Sequence, residues 1–269
     1  MKKLLTSLLC VMMVVCMMPA MAWADGETMQ NPVAQIGDIT YPDLQTAVNA
    51  AGEGQTVTLL TDASIDEKIT ISKSLIIDLN DKTLTGEVDN FMFNNEGAVT
   101  VTVRNGHIVS EVSGFSWDDK AKLTLENVKI ESNEGRGIYI RDAEVVVDKD
   151  SEVKSNGGEE PVYIHVASAD GSENPVLNLY GTLTLVDLSD EDDPYSAIGT
   201  KGGNPTINIY ESAKIQSSDC GIYLQQKATL NIYGGDIAGD TAAVKVEDAD
   251  SDISIKVVIL IVILKHRRE

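Results

Sequence analysis

The stretch LNIYGGDI at 230–237 repeats a phrase that the chain uses twice before, as INIYESAKI at 207–215 and LNLYGTLTL at 177–185. Each phrase alternates apolar and polar residues over one short run and then breaks into small or polar residues. Alternation with period two marks a strand with one buried face, because successive side chains of an extended chain point to opposite sides. Read more loosely, the phrase begins at Ile77, Val101, Leu123, Val145, Leu177, Ile207, Leu230 and Ile253, in steps of 24, 22, 22, 32, 30, 23 and 23 residues. Two positions on stands a second apolar residue, followed by a turn-forming breaker such as Asn80-Asp81, Asn105-Gly106 or Gly234-Gly235. Later in each unit comes another apolar pair: Phe91/Phe93, Phe115/Trp117, Ile138/Ile140, Val162/Ile164, Ile222/Leu224 and Val244/Val246.

A repeat of about 22 residues built only of short strands predicts an all-β solenoid, in which each coil pairs edge to edge with the next at about 4.8 Å. One face of every strand points into a shared apolar column and the other faces water. A leucine-rich repeat has a similar period but carries a fuller L-x-x-L-x-L-x-x-N phrase, which is missing here. The opening IGDITYPDLQTAVNAAGEGQTVTLLTD at 36–62 and LIIDLNDKTLTG at 75–86 resemble the start of secreted bacterial right-handed parallel β-helix proteins of the pectate-lyase-like superfamily. The resemblance covers roughly residues 36 to 256 and implies that fold. Leu44, Ala47, Val48 and Ala51 fall on one helix face and Pro42 suits a first helical turn, so a short amphipathic helix over about 42–51 is expected to cover the open end of the first coil.

The chain begins MKKLLTSLLCVMMVVCMMPAMAWADG, with a basic start, an apolar run from Leu4 to Met18 and an Ala22-Trp23-Ala24 site. That is the pattern of a secretory signal peptide, residues 1–24, and the run is shorter than the ~20 residues that span a bilayer. The remaining organisation is an N-terminal segment with the capping helix at 25–54, a β-helix at 55–256 and an apolar, basic tail at 257–269. The expected location is therefore outside the cell, at or near its surface, with no membrane-spanning segment in the processed chain. The formal charge is −21, and losing Lys2 and Lys3 takes it to −23. Such a chain repels nucleic acid and anionic membranes. Cys10 and Cys16 leave with the leader, so Cys220 has no partner for an internal disulfide and is read as a small packed residue.

Two long steps mark coils with inserts: SNGGEEP at 155–161 and ASADGSEN at 167–174, then LSDEDDP at 188–194 and TKGGN at 200–204. Their Gly, Pro and acidic content predicts protruding loops, where binding residues commonly sit. In the tail, Val257 to Leu264 is an eight-residue apolar run that reads as a last strand with a charged stopper, or as a truncated or frame-shifted end. An uncovered strand of this kind invites self-association through the C-terminal edge.

If the apolar residues of the LNIY phrases point inward, Tyr180, Tyr210 and Tyr233 line up outward on neighbouring coils, with Asn178, Asn208 and Asn231 as a second row. Carried back, the tyrosine row runs through Asp148, Glu126, Arg104 and Asn80, so that Arg104 is expected beside Glu126. Tyr139, Tyr163 and Tyr223 imply another outward column. Flat rings can cover the apolar faces of pyranoses while amides bond hydroxyls, which makes these nine residues candidates for binding polysaccharide or glycoprotein glycans. The same residues also have a purely structural use, since stacked tyrosines and asparagines stabilise cross-strand neighbours.

The resemblance further implies a Ca²⁺-dependent polysaccharide lyase, which needs clustered carboxylates and a basic residue. The densest acidic cluster, Asp187, Asp190, Glu191, Asp192 and Asp193, supplies weak Ca²⁺ candidates, since consecutive loop acids are usually a solvated run. Arg136 is expected to pair with the nearby Glu134. A polygalacturonase-like hydrolase would show an N-T-D, paired aspartates and a G-H-G, whereas Asn105-Gly106-His107-Ile108 lacks the second glycine. His107, His165 and His266 show no metal spacing, and no P-loop, dinucleotide fingerprint or nucleophile elbow appears. The sequence therefore favours a scaffold with no catalytic machinery and no required cofactor, displaying a glycan-binding face; a lyase and a spacer within a larger surface protein are the alternatives.

Overall fold

A computed structural model of the chain describes residues 31–167, 172–186, 195–247 and 250–255. It is a parallel β-solenoid of about eight turns with three faces. A short antiparallel hairpin, β1 (Ala34–Ile36) and β2 (Ile39–Tyr41), turns at Gly37, whose φ of 57° suits glycine. Helix α1 (Leu44–Ala50) follows. The first coil is β3 (Thr56–Leu59), β4 (Ala63–Ile65) and β5 (Ile69–Ile71). The next three coils each run through two faces in one long strand: β6 (Leu75–Gly86) with β7 (Phe91–Asn95), β8 (Thr100–Ser110) with β9 (Ser113–Trp117), and β10 (Lys122–Ser132) with β11 (Ile138–Ile140). Coils five and six are β12 (Glu144–Val147), β13 (Glu152–Ser155), β14 (Val162–His165), then β15 (Val176–Leu179), β16 (Thr182–Leu185), β17 (Ser196–Lys201). Coils seven and eight are β18 (Thr206–Ile209), β19 (Lys214–Ser217), β20 (Cys220–Leu224), then β21 (Thr229–Ile232), β22 (Asp236–Gly239), β23 (Ala242–Val246), and β24 (Asp252–Ile255) pairs on β21.

The first face runs from β3 through β6, β8, β10, β12, β15, β18 and β21 to β24, all parallel. The third face is an eight-stranded sheet from β5 to β23. The repeated alternation does the positioning. In β12, β15, β18 and β21 every second residue is buried, so Val145, Val147, Leu177, Leu179, Ile207, Ile209 and Leu230 lose all solvent contact. Each such side chain is worth about 1.5–3 kcal/mol of burial. Inside, Phe93 and Phe115 stack with centroids 4.7 Å apart, and Trp117 meets Phe115 edge-on. Cys220 is fully buried; burial pushes its thiol up to about 11, which leaves it an inert packed group.

The breakers form the corner between the first and second faces. Asn105 and Asn127 adopt the left-handed conformation there, with φ of 55° each, which asparagine tolerates better than other residues with a side chain. In coil six the corner is Tyr180-Gly181, and a Cβ on Gly181 would lie 2.3 Å from the Asp148 carbonyl oxygen.

Several expectations need correction. The unit starting at Ile77 starts at Leu75 instead: Leu75 pairs with Val101 and Asp78 with Arg104, and the register shifts between Asp78 and Lys82 because two extra residues fill that corner. Pro42 precedes the helix rather than opening it. Asp43 is the N-cap, its Oδ1 accepting from the Thr46 N–H at 2.7 Å, while the predicted buried face of Leu44, Ala47, Val48 and Ala51 holds. Phe91 lies outside the core and Met92 takes the buried place. The 155–161 insert folds down rather than protruding, with Glu160 only 9% exposed. Residues 1–30 and the tail Val257 to Leu264 lie outside the described residues. The last described strand leaves Ile253 and Ile255 exposed. Among the described residues no helix is long and apolar enough to cross a membrane.

Candidate functional site

The tyrosine row stands on the first corner. Main-chain bonds continue past the strands, with Tyr180 N donating to Val147 O at 2.9 Å, Tyr210 N to Leu179 O at 3.0 Å and Tyr233 N to Ile209 O at 2.8 Å. The ladder thus fixes the Cα positions one coil apart, and the rings follow. Tyr180 and Tyr210 stack with centroids 4.0 Å apart at 4°, and Tyr210 and Tyr233 at 5.2 Å and 17°. All three are half-buried. The Tyr210 phenol is pushed up to about 12, first by hydrogen bonding to Tyr180 and then by burial.

The asparagine row is also in register, Asn178 beside Asn208 beside Asn231. Its amides are occupied with one another. Asn231 Nδ2 donates to Asn208 Oδ1 at 2.9 Å, Asn208 Nδ2 to Asn178 Oδ1 at 2.9 Å, and Asn178 Nδ2 to Glu144 Oε1 at 3.3 Å. Lys122 anchors the far end through Glu144 at 3.0 Å. These amides hold the coils together and have little left for a sugar hydroxyl.

On the N-terminal side the ring column stops at Tyr180, because the preceding coils carry Asp148 and Glu126 at that ladder position. The exchange of a ring for shorter side chains opens a solvent-facing depression of about 480 Å³ lined by Thr124, Glu126, Val146, Asp148, Lys149, Tyr180 and Ser212. Tyr180 stacks on Tyr210 on one side and borders this depression on the other. Arg104 stands beside Glu126 in register, as expected, but its side chain bonds Asp78 in the coil on its other side, Nε to Oδ2 at 2.8 Å, where Asp78 and not Asn80 is the neighbour.

The third-face column is not a ring stack. Tyr139 and Tyr163 are in register, but Gly199 stands between Tyr163 and Tyr223. Tyr223 is only 6% exposed, with the Lys245 ammonium 4.4 Å over its ring and its hydroxyl bonded to Glu247. Arg136 lies 4.4 Å over the Tyr163 ring. These two rings therefore have cations where a sugar would stack. Tyr139 packs against Phe91 and His165, and its hydroxyl lies 2.7 Å from His165 Nδ1. Burial and the nearby Lys201 hold His165 below its ordinary value, which favours the neutral ring. Arg136 bonds Glu160 and Glu159 rather than Glu134. Phe91, His165 and Glu160 were missed from the sequence because their partners lie one or two coils away.

The Ca²⁺ candidates Asp187, Asp190, Glu191, Asp192 and Asp193 lie outside the described residues. Among the described residues no group of three or more His, Cys, Asp or Glu side chains is placed to share a metal ion. The molecule is a parallel β-solenoid protein with an aromatic column and an adjoining depression. Comparison with protein-family models, curated proteins and solved structures gave no match.

Proposed function

We propose that this chain is an exported relative of the bacterial pectate-lyase-like β-helix proteins that binds extracellular glycan as a non-catalytic adhesive scaffold at or near the cell surface. The export part rests on the leader pattern of residues 1–24, and the family part on the phrases at 36–62 and 75–86. The glycan part rests on one observation: the tyrosine column ends at a ring that borders an open depression large enough for one or two sugar units. A pyranose presents an apolar face of C–H groups, and a half-buried, rigid phenol ring offers it matched contact area at little entropic cost. The role given in the sequence reading to all nine candidates narrows to Tyr180. Tyr210 and Tyr233 hold Tyr180 in place, and Asn178, Asn208 and Asn231 brace the sheet below it.

A glycan array probed with the full chain tests this. Tyr180→Ala is expected to abolish the strongest signals, while Tyr233→Ala, at the far end of the column, retains them. Loss through Tyr233→Ala with retention through Tyr180→Ala would defeat the assignment. A blank array would remove the glycan reading and leave a spacer.

A further inference from the structure

Resting on that reading, we infer that the depression beside Tyr180 selects a pyranose carrying a protonated amine over its neutral and its uronate counterparts. The charges that face the depression decide this. Glu126 is exposed and makes no hydrogen bond or ion pair among the described residues; its in-register neighbour Arg104 is turned to Asp78. Asp148 uses one oxygen, Oδ1, which accepts from Ser151 Oγ at 2.6 Å and from the Asp150 and Asn127 N–H groups at 3.2 Å each. Lys149, the one cation in the lining, is paired with Asp150. The charge left for a ligand is therefore carboxylate, on a chain whose formal charge is −21.

An ammonium on the sugar gains twice in that setting. It forms charge-assisted hydrogen bonds to Glu126 and to the second oxygen of Asp148, and it sits within reach of the negative face of Tyr180. A uronate places its carboxylate against the same two groups and is repelled. A neutral sugar keeps only the ring contact with Tyr180, Val146 and Thr124. Because the contacts are solvent-exposed, the preference is modest, about a fivefold difference in affinity.

The test uses three β-1,4-linked tetrasaccharides of one backbone: the glucosamine oligomer, cellotetraose and the corresponding oligoglucuronate. Titration of the full chain by calorimetry at about pH 5.5, above the ordinary carboxylate range, is expected to rank them in that order. The gap between amine and neutral sugar closes at roughly 0.5 M salt, where the Debye length is about 4 Å. Glu126→Gln, which removes an unpaired surface charge and leaves every described contact in place, reduces the affinity ratio of the amine over cellotetraose at least twofold. The inference is overturned if the uronate binds as tightly as the amine, or if Glu126→Gln preserves the full amine advantage. Tight cellotetraose binding with no amine preference overturns this inference alone, whereas no binding of any of the three, with a blank array, overturns the glycan reading beneath it.

Discussion

The rings of Tyr180 and Tyr210 lie 4.0 Å apart and 4° from parallel, although 30 residues separate them in the chain. Asn178 and Asn208, two positions earlier, are in register one coil apart, and that pairing sets the geometry. Tyr210 stacks on both sides, Tyr180 on one. An aromatic pair of this kind adds about 0.5–1.5 kcal/mol beyond its burial. Tyr210→Ala is therefore expected to cost about 2–3 kcal/mol in urea unfolding, and Tyr180→Ala about half as much. Equal losses would mean that the rings contribute as isolated side chains.

The same contact makes the fold sensitive to alkali. The Tyr210 and Tyr223 phenols are both pushed up to about 12 from an ordinary 10.0, Tyr210 chiefly by Tyr180 and Tyr223 chiefly by burial. A raised phenol favours the protonated folded form. Its contribution is complete below about pH 10 and is lost as pH rises through the folded value. Melting temperature should be flat across neutral pH and fall between pH 10 and 12, with a smaller fall in Tyr210→Phe. A flat profile to pH 12 would show that neither phenol is held protonated by the folded chain.

Much of this architecture can be read from the chain, for a definite reason. A one-residue slip moves every side chain of a strand to the wrong face, so alternation fixes parity along the coils. Val101, Leu123, Val145, Leu177, Ile207, Leu230 and Ile253 were all placed in correct register by pattern alone. The two extra residues in the corner after Asp78 keep parity and so leave no trace in the pattern; for that reason Asn80 was mistaken for the neighbour of Arg104. The site was legible only in part. The Tyr180 row is marked by the repeated apolar–Asn–apolar–Tyr phrase, which survives the 30-residue step from Tyr180 to Tyr210, whereas the Tyr139, Tyr163, Tyr223 series has no such phrase in the coil between Tyr163 and Tyr223, where Gly199 enters the column unseen. Arg136 was matched to an acid two residues away, yet its partner Glu160 comes from the next coil.

The asparagine ladder gives a separable prediction. Asn208 both donates to Asn178 and accepts from Asn231. Asn208→Ala leaves the Asn231 amide donor without this acceptor and Asn178 Oδ1 with only the Tyr210 hydroxyl at 3.5 Å, on a half-buried face, at a cost of about 1–2 kcal/mol. Asn231→Ala, at the end of the ladder, removes one bond and should cost about half that. A double-mutant cycle between Asn208 and Asn178 should show coupling, whereas Asn208 and Asn127, on different rows, should add independently.

The corner asparagines are predicted to prefer glycine to alanine. Asn127 holds φ at 55°, a conformation that costs a residue with a Cβ about 1–2 kcal/mol unless its side chain compensates. Its Nδ2 reaches Asn105 Oδ1 at only 3.4 Å, so little is lost with the amide. Asn127→Gly should remain within about 0.5 kcal/mol of wild type, and Asn127→Ala should be destabilised by about 1 kcal/mol or more in chemical unfolding. Equal effects would show that the amide and not the backbone conformation keeps asparagine there.

Glu160 is the buried charge whose partner matters most. It is 9% exposed, its Oε2 accepts from Arg136 Nε at 3.2 Å, and a Cβ on Gly199 would lie 2.8 Å from its Oε1. Burial pushes its carboxyl above the ordinary 4.5 despite the pull of Arg136 in the other direction. A raised carboxyl is stabilising while protonated, below its unfolded value, and that contribution fades as pH rises through the folded value. Removing the arginine pushes the carboxyl further up. Arg136→Ala should therefore lie close to wild type at about pH 4, where Glu160 is protonated in both, and fall behind with rising pH, to a deficit of about 3 kcal/mol near neutrality. Pairing the change with Glu160→Gln should remove most of that pH dependence, because no charge is then left in the burial site. A deficit that stays constant from pH 4 to 7 would assign the role of Arg136 to its packing over the Tyr163 ring instead.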